Sequence, residues 1–185
     1  GLKPKDIDLI ILATTTPDNT FPSTASKIQR NLGCKAISFD VQAVCAGFIY
    51  AISIGTAMLK DSHGKKCLVI GADSMSKILD WSDRSTSVLF GDGAGAVVLE
   101  KNLRNDTVET NQWGVLATKI FTNGEYYDLL STDGGVSKNK STGFLRMNGK
   151  EIFKHAVEKL SSSLLMCLDE CLSLIHISEP TRRSY

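Results

Sequence analysis

Ile37-Ser-Phe-Asp-Val-Gln-Ala-Val-Cys-Ala-Gly-Phe-Ile-Tyr50 is the stretch on which the reading of this chain turns. A short strand-like run feeds through small residues into a helical pattern, and Cys45 stands at the junction. A thiol placed there lies near the positive end of a helix dipole and its unpaired N–H groups, which favours thiolate over thiol. Cys45 is therefore the candidate nucleophile. Ala46 and Gly47 leave room for a substrate, Phe48 supplies an apolar wall, and a thiolate in that setting can attack a thioester carbonyl to give an acyl-enzyme. A lone cysteine at a helix start is more often a packed small residue, so its surroundings must carry the case.

Those surroundings read as an α/β layer. Ile-Asp-Leu-Ile-Ile-Leu-Ala-Thr-Thr-Thr over residues 7–16 is an apolar, β-branched run suited to a strand buried on both faces. Residues 17–22 form a loop, Ser23 caps a helix with Ala25, Ile28 and Leu32 on one face, and Gly33 ends it. The helix after Cys45 is predicted to reach about Lys60 with Ile49, Ile52, Ala57 and Leu59 largely inside. Residues 65–73 make another buried strand. The order β-α-β-α-β implies a layered α/β fold with right-handed crossovers.

Further on, residues 74–87 are polar and irregular, 90–100 run from a glycine turn into a strand, and 101–111 form a polar connection. Short strands are predicted over 114–122 and 126–130, flanking Asn123-Gly124, then a surface loop over 133–142. Asn148 and Glu151 cap a final helix. Phe153, Val157, Leu160, Leu164, Leu168 and Cys171 give it one core face. Residues 173–185, with Pro180, Arg182 and Arg183, resemble translated adapter or read-through sequence and are set aside.

Composition narrows the function. A net charge of +1 over 185 residues gives no electrostatic case for nucleic acid or an anionic membrane, and no apolar run approaches a membrane span. Five cysteines without CxxC spacing suit reduced thiols in the cytoplasm, Cys34, Cys67, Cys167 and Cys171 acting as small, partly buried hydrophobes. Three scattered histidines argue against zinc, and no cofactor is expected. Gly91-Asp-Gly-Ala-Gly-Ala96 formally fits a permissive dinucleotide fingerprint, but a strand pattern follows it where a helix N-terminus is required. A tight turn whose glycines allow unusual φ and close packing is the better reading.

Val44-Cys-Ala-Gly-Phe48, Ser87-Val-Leu-Phe-Gly-Asp-Gly-Ala-Gly-Ala96 and Asn19-Thr-Phe-Pro-Ser23 together resemble β-ketoacyl-acyl-carrier-protein synthase III, the condensing enzyme that starts bacterial fatty acid synthesis. The similarity runs from about Gly1 to about Leu172. It implies an α/β thiolase-like fold of five alternating layers in a homodimer, here incomplete. Residues 1–103 would be the core of the N-terminal half, 104–172 the start of the second, and 173–185 a non-native tail. It further implies that Cys45 takes an acyl group from acyl-CoA, acetyl-CoA above all, and condenses it with malonyl-acyl-carrier-protein, releasing carbon dioxide. By position Arg84 matches an arginine near the CoA nucleotide. Phe21 matches the residue that crosses the dimer interface to close the partner's acyl pocket, and Phe153 lies among further pocket-wall residues.

The departures matter as much. Lys150 stands where the pattern usually has an asparagine holding the pantetheine arm. The family's catalytic histidine, in a His-Gln-Ala-Asn motif, and its later asparagine have no counterpart: His176 is followed by Ile177-Ser178, and His155 falls within a helix. The family's first strand and helix are expected to be missing too. The implied object is a fragment bearing the nucleophile of an acyltransferase. Alternatives are a related condensing enzyme of secondary metabolism and a catalytically silent fragment.

Overall fold

The computed structural model describes residues 1–101 and 114–178, with side chains through Leu172. Five consecutive apolar residues, Leu9–Ala13, form β1, and all five are buried. Strand α1–β2–α2–β3 units are then read in chain order: α1 (Thr24–Leu32), β2 (Ile37–Val41), α2 (Gly47–Lys60) and β3 (Lys66–Ser74). β1 pairs in parallel with both β2 and β3. After a four-residue turn of helix, α3 (Arg84–Ser87), strand β4 (Asp92–Glu100) pairs antiparallel with β3 along its whole length. The sheet order is β2-β1-β3-β4.

The pleat of β1 separates two cores. Leu9, Ile11 and Ala13 face α2 together with Ala51, Leu59, Cys67 and Val69. Ile10 and Leu12 face α1 together with Ala25, Ala36 and Cys34. Each fully buried Leu or Ile of this strand contributes about 1.5–3 kcal/mol. The caps of α1 fall where expected: the Ser23 hydroxyl accepts the Ser26 N–H, and Gly33 takes φ +65°. Asp40 on β2 adds a clamp, its two carboxylate oxygens accepting the N–H groups of Thr24 and Ala25 at 2.8 Å each.

The buried stripe of α2 differs from the predicted one. Gly47, Ala51, Gly55 and Leu59 face the sheet, whereas Ile49 and Ala57 are exposed. The helix is apolar almost all round, so closeness of approach selects the face. A Cβ on Gly55 would come within 3.1 Å of Cys67 Sγ and 3.3 Å of Leu99 Cδ1. Small residues at four-residue spacing let α2 lie flat on β1 and β3.

Beyond β4 the expectations hold less well. The boundary predicted at residues 103/104, like most of the 101–111 connection, lies outside the described residues, as do residues 179–185 of the tail. Residues 114–122, predicted as a strand, have no regular structure. They run along α2, with Thr118 donating to Ser53 (3.2 Å) and Tyr50 donating to the Phe121 carbonyl (3.1 Å). The strand predicted over 126–130 is largely a 3-10 turn, Gly124–Leu129, capped by the Asn123 side chain. In both stretches the side-chain pattern suits a strand, but no described strand lies alongside to pair with it.

β5 (Leu130–Thr132), the short helical turn α4 (Val136–Asn139) and β6 (Leu145–Met147) follow, β5 and β6 pairing antiparallel. The hairpin docks on the segment before α3: Leu145 N–H donates to the Ile78 carbonyl (2.7 Å) and Arg146 bridges Asp80 (2.9 Å) and Asp133 (2.8 Å).

The last helix, α5 (Gly149–Ser178), continues past Leu172 into the stretch set aside as a tail. The Asn148 side chain meets the Glu151 N–H at 3.5 Å, but the Asn148 N–H goes to the Leu129 carbonyl, so the box is not reciprocal. The predicted core face is open. Phe153, Val157, Leu160, Leu164 and Leu168 are all exposed. Among the described residues α5 is held at its flank, by Tyr126 stacked on His155 and by the Lys119–Glu170 ion pair.

Candidate active site

Cys45 sits in a 3-10 turn, Val44–Ala46, between the end of β2 and the first residue of α2. Val44 adopts φ +48°. The left-handed region is costly for a β-branched residue, about 1–3 kcal/mol, and is tolerated only where the surroundings enforce it. Gly47, the first residue of α2, packs closely on β1: an added Cβ there would lie 3.2 Å from Ala13 Cβ. Cys45 is left exposed while Cys34 and Cys67 are buried, and all five cysteines are free thiols. Burial pushes the Cys67 thiol up to about 11, which suits it to packing rather than chemistry.

The thiol opens on a cavity of about 280 Å³. Val44, Phe48, Met75 and Phe90 form its apolar wall, and Thr15 and Asp73 its polar one. The Phe48 ring lies against Gly71 on β3, where an added Cβ would meet it at 3.1 Å. The polar wall is a hydrogen-bonded knot joining the C-terminal ends of β1 and β3. Asp73 Oδ1 accepts the Thr15 N–H and Thr15 hydroxyl (2.7 Å each), the Thr16 hydroxyl (3.2 Å) and the Thr14 hydroxyl (3.3 Å). The Ser74 N–H donates back to Thr16 Oγ1 (2.8 Å).

The other candidate residues do not line this cavity. Arg84 is exposed as the first residue of α3, whose turn is capped by the Asp83 carboxylate. Phe21 is 83% exposed on the loop before α1, and Phe153 is 72% exposed on α5. Cys45, Arg84, Phe21 and Phe153 therefore stand on separate parts of the chain. His155 is stacked on Tyr126 with its Nδ1 buried and unpartnered among the described residues, away from Cys45's cavity.

Asp73, Thr15 and Met75 were not singled out by sequence. The available signal was topological: ligands gather outside the carboxyl ends of parallel strands, and Thr15 and Asp73 close β1 and β3 there. The glycine segment also differs from its reading. Gly93 and Gly95 lie inside β4, opposite Asp73 and Gly71, with no positive φ and nothing within 4 Å of an added Cβ. They form neither a tight turn nor a phosphate cradle ahead of a helix.

Residues 39–124 match the family model for 3-oxoacyl-[acyl-carrier-protein (ACP)] synthase III. The chain is 53% identical over 171 residues to a β-ketoacyl-[acyl-carrier-protein] synthase III from Erythrobacter litoralis, covering 92% of this chain and 52% of that protein. Among solved structures it resembles 3-oxoacyl-[acyl-carrier-protein] synthase III from Aquifex aeolicus, with 42% identity and a TM-score of 0.79 over 92% of this chain and 51% of that one. The priming β-ketosynthase of the R1128 polyketide pathway is also similar, at 28% identity and a TM-score of 0.71, over 88% and 48% of the two chains. The α/β layer carrying Cys45 is thus part of a thiolase-like fold, and the chain spans about half the length of the curated relatives it matches. By sequence and by fold this chain is similar, over 92% of its length, to β-ketoacyl-[acyl-carrier-protein] synthase III.

Proposed function

We propose that Cys45 is the acyl acceptor of a condensing enzyme that starts fatty acid synthesis. The observation that carries this reading is the exposed thiol on a strained turn, opening on a cavity with a mostly apolar wall. The thiolate attacks the thioester carbonyl of acyl-CoA, acetyl-CoA in the first instance. A carbon–sulfur bond forms to Cys45, the bond to the CoA sulfur breaks, and CoA leaves as a thiol after taking a proton.

In the whole enzyme the acyl group then passes to malonyl-acyl-carrier-protein. Loss of carbon dioxide supplies the electron pair of the new carbon–carbon bond. That second step requires groups that stabilise an enolate, and no residue of this sequence is assigned to it. Arg84, exposed and in no ion pair among the described residues, would meet the CoA nucleotide. Exposed Phe21 would close the acyl pocket of a second subunit in a homodimer, and Phe153 would complete a pocket wall. The two halves would meet near residue 103. The setting is the cytoplasm, where CoA thioesters are made, and among the described residues no helix is long and apolar enough to cross a membrane.

The likeness to a polyketide priming enzyme supports a second reading, priming in secondary metabolism, at a lower identity (28% against 53%). Incubation with acetyl-CoA followed by peptide mass spectrometry tests acylation directly. An acetyl adduct is expected on Cys45 and is expected to vanish in Cys45→Ser. No adduct on the unsubstituted chain, or an equal yield in Cys45→Ser, overturns the assignment. A panel of longer and branched acyl-CoAs separates the two priming roles.

A further inference from the structure

Met75 begins the 3-10 turn that follows β3, Met75–Lys77, and stands on the apolar wall of the cavity that Cys45 opens into. Its main chain is fixed on both sides. Before it, Ser74 is paired with Asp92 on β4. After it, the Asp92 carboxylate accepts the Ser76 N–H and the Ser76 hydroxyl at 2.7 Å each. The Met75 carbonyl accepts the Ile78 N–H at 3.0 Å. The side chain has no such hold. Among the described residues its sulfur meets one hydrogen-bonding group, the Thr15 hydroxyl, at 4.0 Å. That hydroxyl has a single proton, and Asp73 Oδ1, at 2.7 Å the nearer and the charged acceptor, takes it. The thioether is left with van der Waals contact alone.

The rest of the apolar wall yields less readily. Phe48 packs against the core under α2, with its ring on Gly71. Val44 is β-branched and stiff at χ1, and Phe90 is a flat ring turning on two torsions. Met75 is unbranched, with three rotatable bonds and a polarizable sulfur, and such a side chain can fill a gap or vacate it.

We infer that Met75 is the specificity-determining residue of this cavity: its side chain is the movable part of a fixed wall and sets how long a straight, uncharged chain on the Cys45 sulfur can be housed. The inference rests on the proposed acyl-acceptor role and adds a limit to it. Short straight acyl groups fit beside the thioether, and longer ones have to displace it.

The test needs no acyl transfer. The protein is equilibrated with glutathione and with a mixed disulfide of glutathione and a straight alkanethiol, from methyl to octyl. The Cys45 thiolate attacks the alkyl-bearing sulfur; one S–S bond forms as another breaks, and glutathione leaves as the thiol after taking a proton. The equilibrium constant, read from the Cys45 peptide by mass spectrometry, compares each chain in the cavity with the same chain in water. It is expected to rise by up to about fourfold per methylene while the chain finds apolar wall, and then to level off at one length. Met75→Ala, which removes the side chain beyond Cβ, is expected to carry the rise about two to three carbons further. Met75→Phe, bulkier and stiffer, is expected to end it sooner, and Met75→Leu, near in volume, to leave the break in place.

A constant that ignores chain length overturns the proposal, as does a break that Met75→Ala and Met75→Phe leave at the same length. If the variants do not fold, the unsubstituted protein decides alone. With carbon-13 in the methionine methyl groups, the Met75 resonance is expected to move for chains at and beyond the break and not before it. A resonance indifferent to chain length sinks the proposal. An acyl-CoA series of the same lengths forms the second arm. A break that depends on Met75 without any acyl adduct would leave the wall standing and remove the acyl-acceptor role. Acylation whose length dependence ignores Met75 would do the reverse.

Discussion

The layer formed by β1 to β4 with α1 and α2 closes around its central strand β1, with β4 exposed at the edge; the segment from β5 to α5 closes around none. In the first, β1 is buried along its whole length and both faces of the sheet have a helix. In the second, a 30-residue helix leaves Phe153, Val157, Leu160, Leu164 and Leu168 exposed and, among the described residues, is held by a stacked ring and an ion pair. The difference teaches where the folding free energy of this chain resides. α5 carries an apolar stripe as α1 does, but a stripe stabilises only when a second surface removes it from water.

The sharpest way to break that comparison is a pair of truncations. Leu9→Ala in β1 is expected to cost about 2–5 kcal/mol, the range for large-to-small changes in a packed core. Leu164→Ala on α5 is expected to change stability by no more than about 0.5 kcal/mol, as for exposed positions. Urea unfolding of both variants measures this. Equal losses would mean that the α5 face is covered in solution.

A smaller effect sharpens the account of α2. Gly55→Ala gains helix propensity of about 1 kcal/mol, but its Cβ presses on Cys67 Sγ and Leu99 Cδ1 at 3.1 and 3.3 Å. Overpacking of that kind costs about 1–3 kcal/mol. A net loss near 1 kcal/mol is expected in the same urea measurement. A gain in stability would show that α2 can lift from the sheet, and Cys45, at its foot, would then alkylate faster.

The smallest expected effect concerns the join between the two regions. Asp133 is held below its ordinary value of 3.8 by the Phe144 N–H and by Arg146, and Asp80 by the Ser82 hydroxyl and by Arg146. A carboxyl whose value is lowered on folding stabilises the fold above its unfolded value, and that contribution is lost as the pH falls through the folded value. Hairpin docking is therefore expected to be intact at neutral pH and to weaken only below about pH 4. All three side chains are solvent-accessible, so salt weakens the join as well. Hydrogen exchange of the Leu145 amide, bonded to the Ile78 carbonyl, reads it directly. Faster exchange of that amide in Arg146→Ala at neutral pH is expected, with β1 amides unaffected.

Much of the closed layer was legible in the sequence because its signals are local. A β-branched run, a serine cap and a terminal glycine located β1 and α1, and the Cys45 turn fell between β2 and α2 as read. The face of α2 was not legible, since a helix apolar on most sides carries little directional pattern and its orientation comes from Gly47 fitting against β1 and Gly55 against β3. The strands expected between residues 114 and 130 had the right side chains and no described partner. β6 is only three residues long, too short for periodicity to mark it. At the site, Cys45 and Phe48 were legible as neighbours in sequence. Asp73 was not, because it meets Thr15 across 58 residues, and no local pattern records such a meeting.

Val44 has one more consequence. A residue held at φ +48° against its own preference marks a position where a stability screen and an activity screen should pull apart. Glycine or asparagine there would relax the backbone and raise the melting point, and a library sorted only for thermal robustness would enrich them. The same variants would let the turn wander and blur the aim of the neighbouring sulfur. Sorted for heat resistance, descendants of this chain would drift toward a calmer loop and a duller thiol.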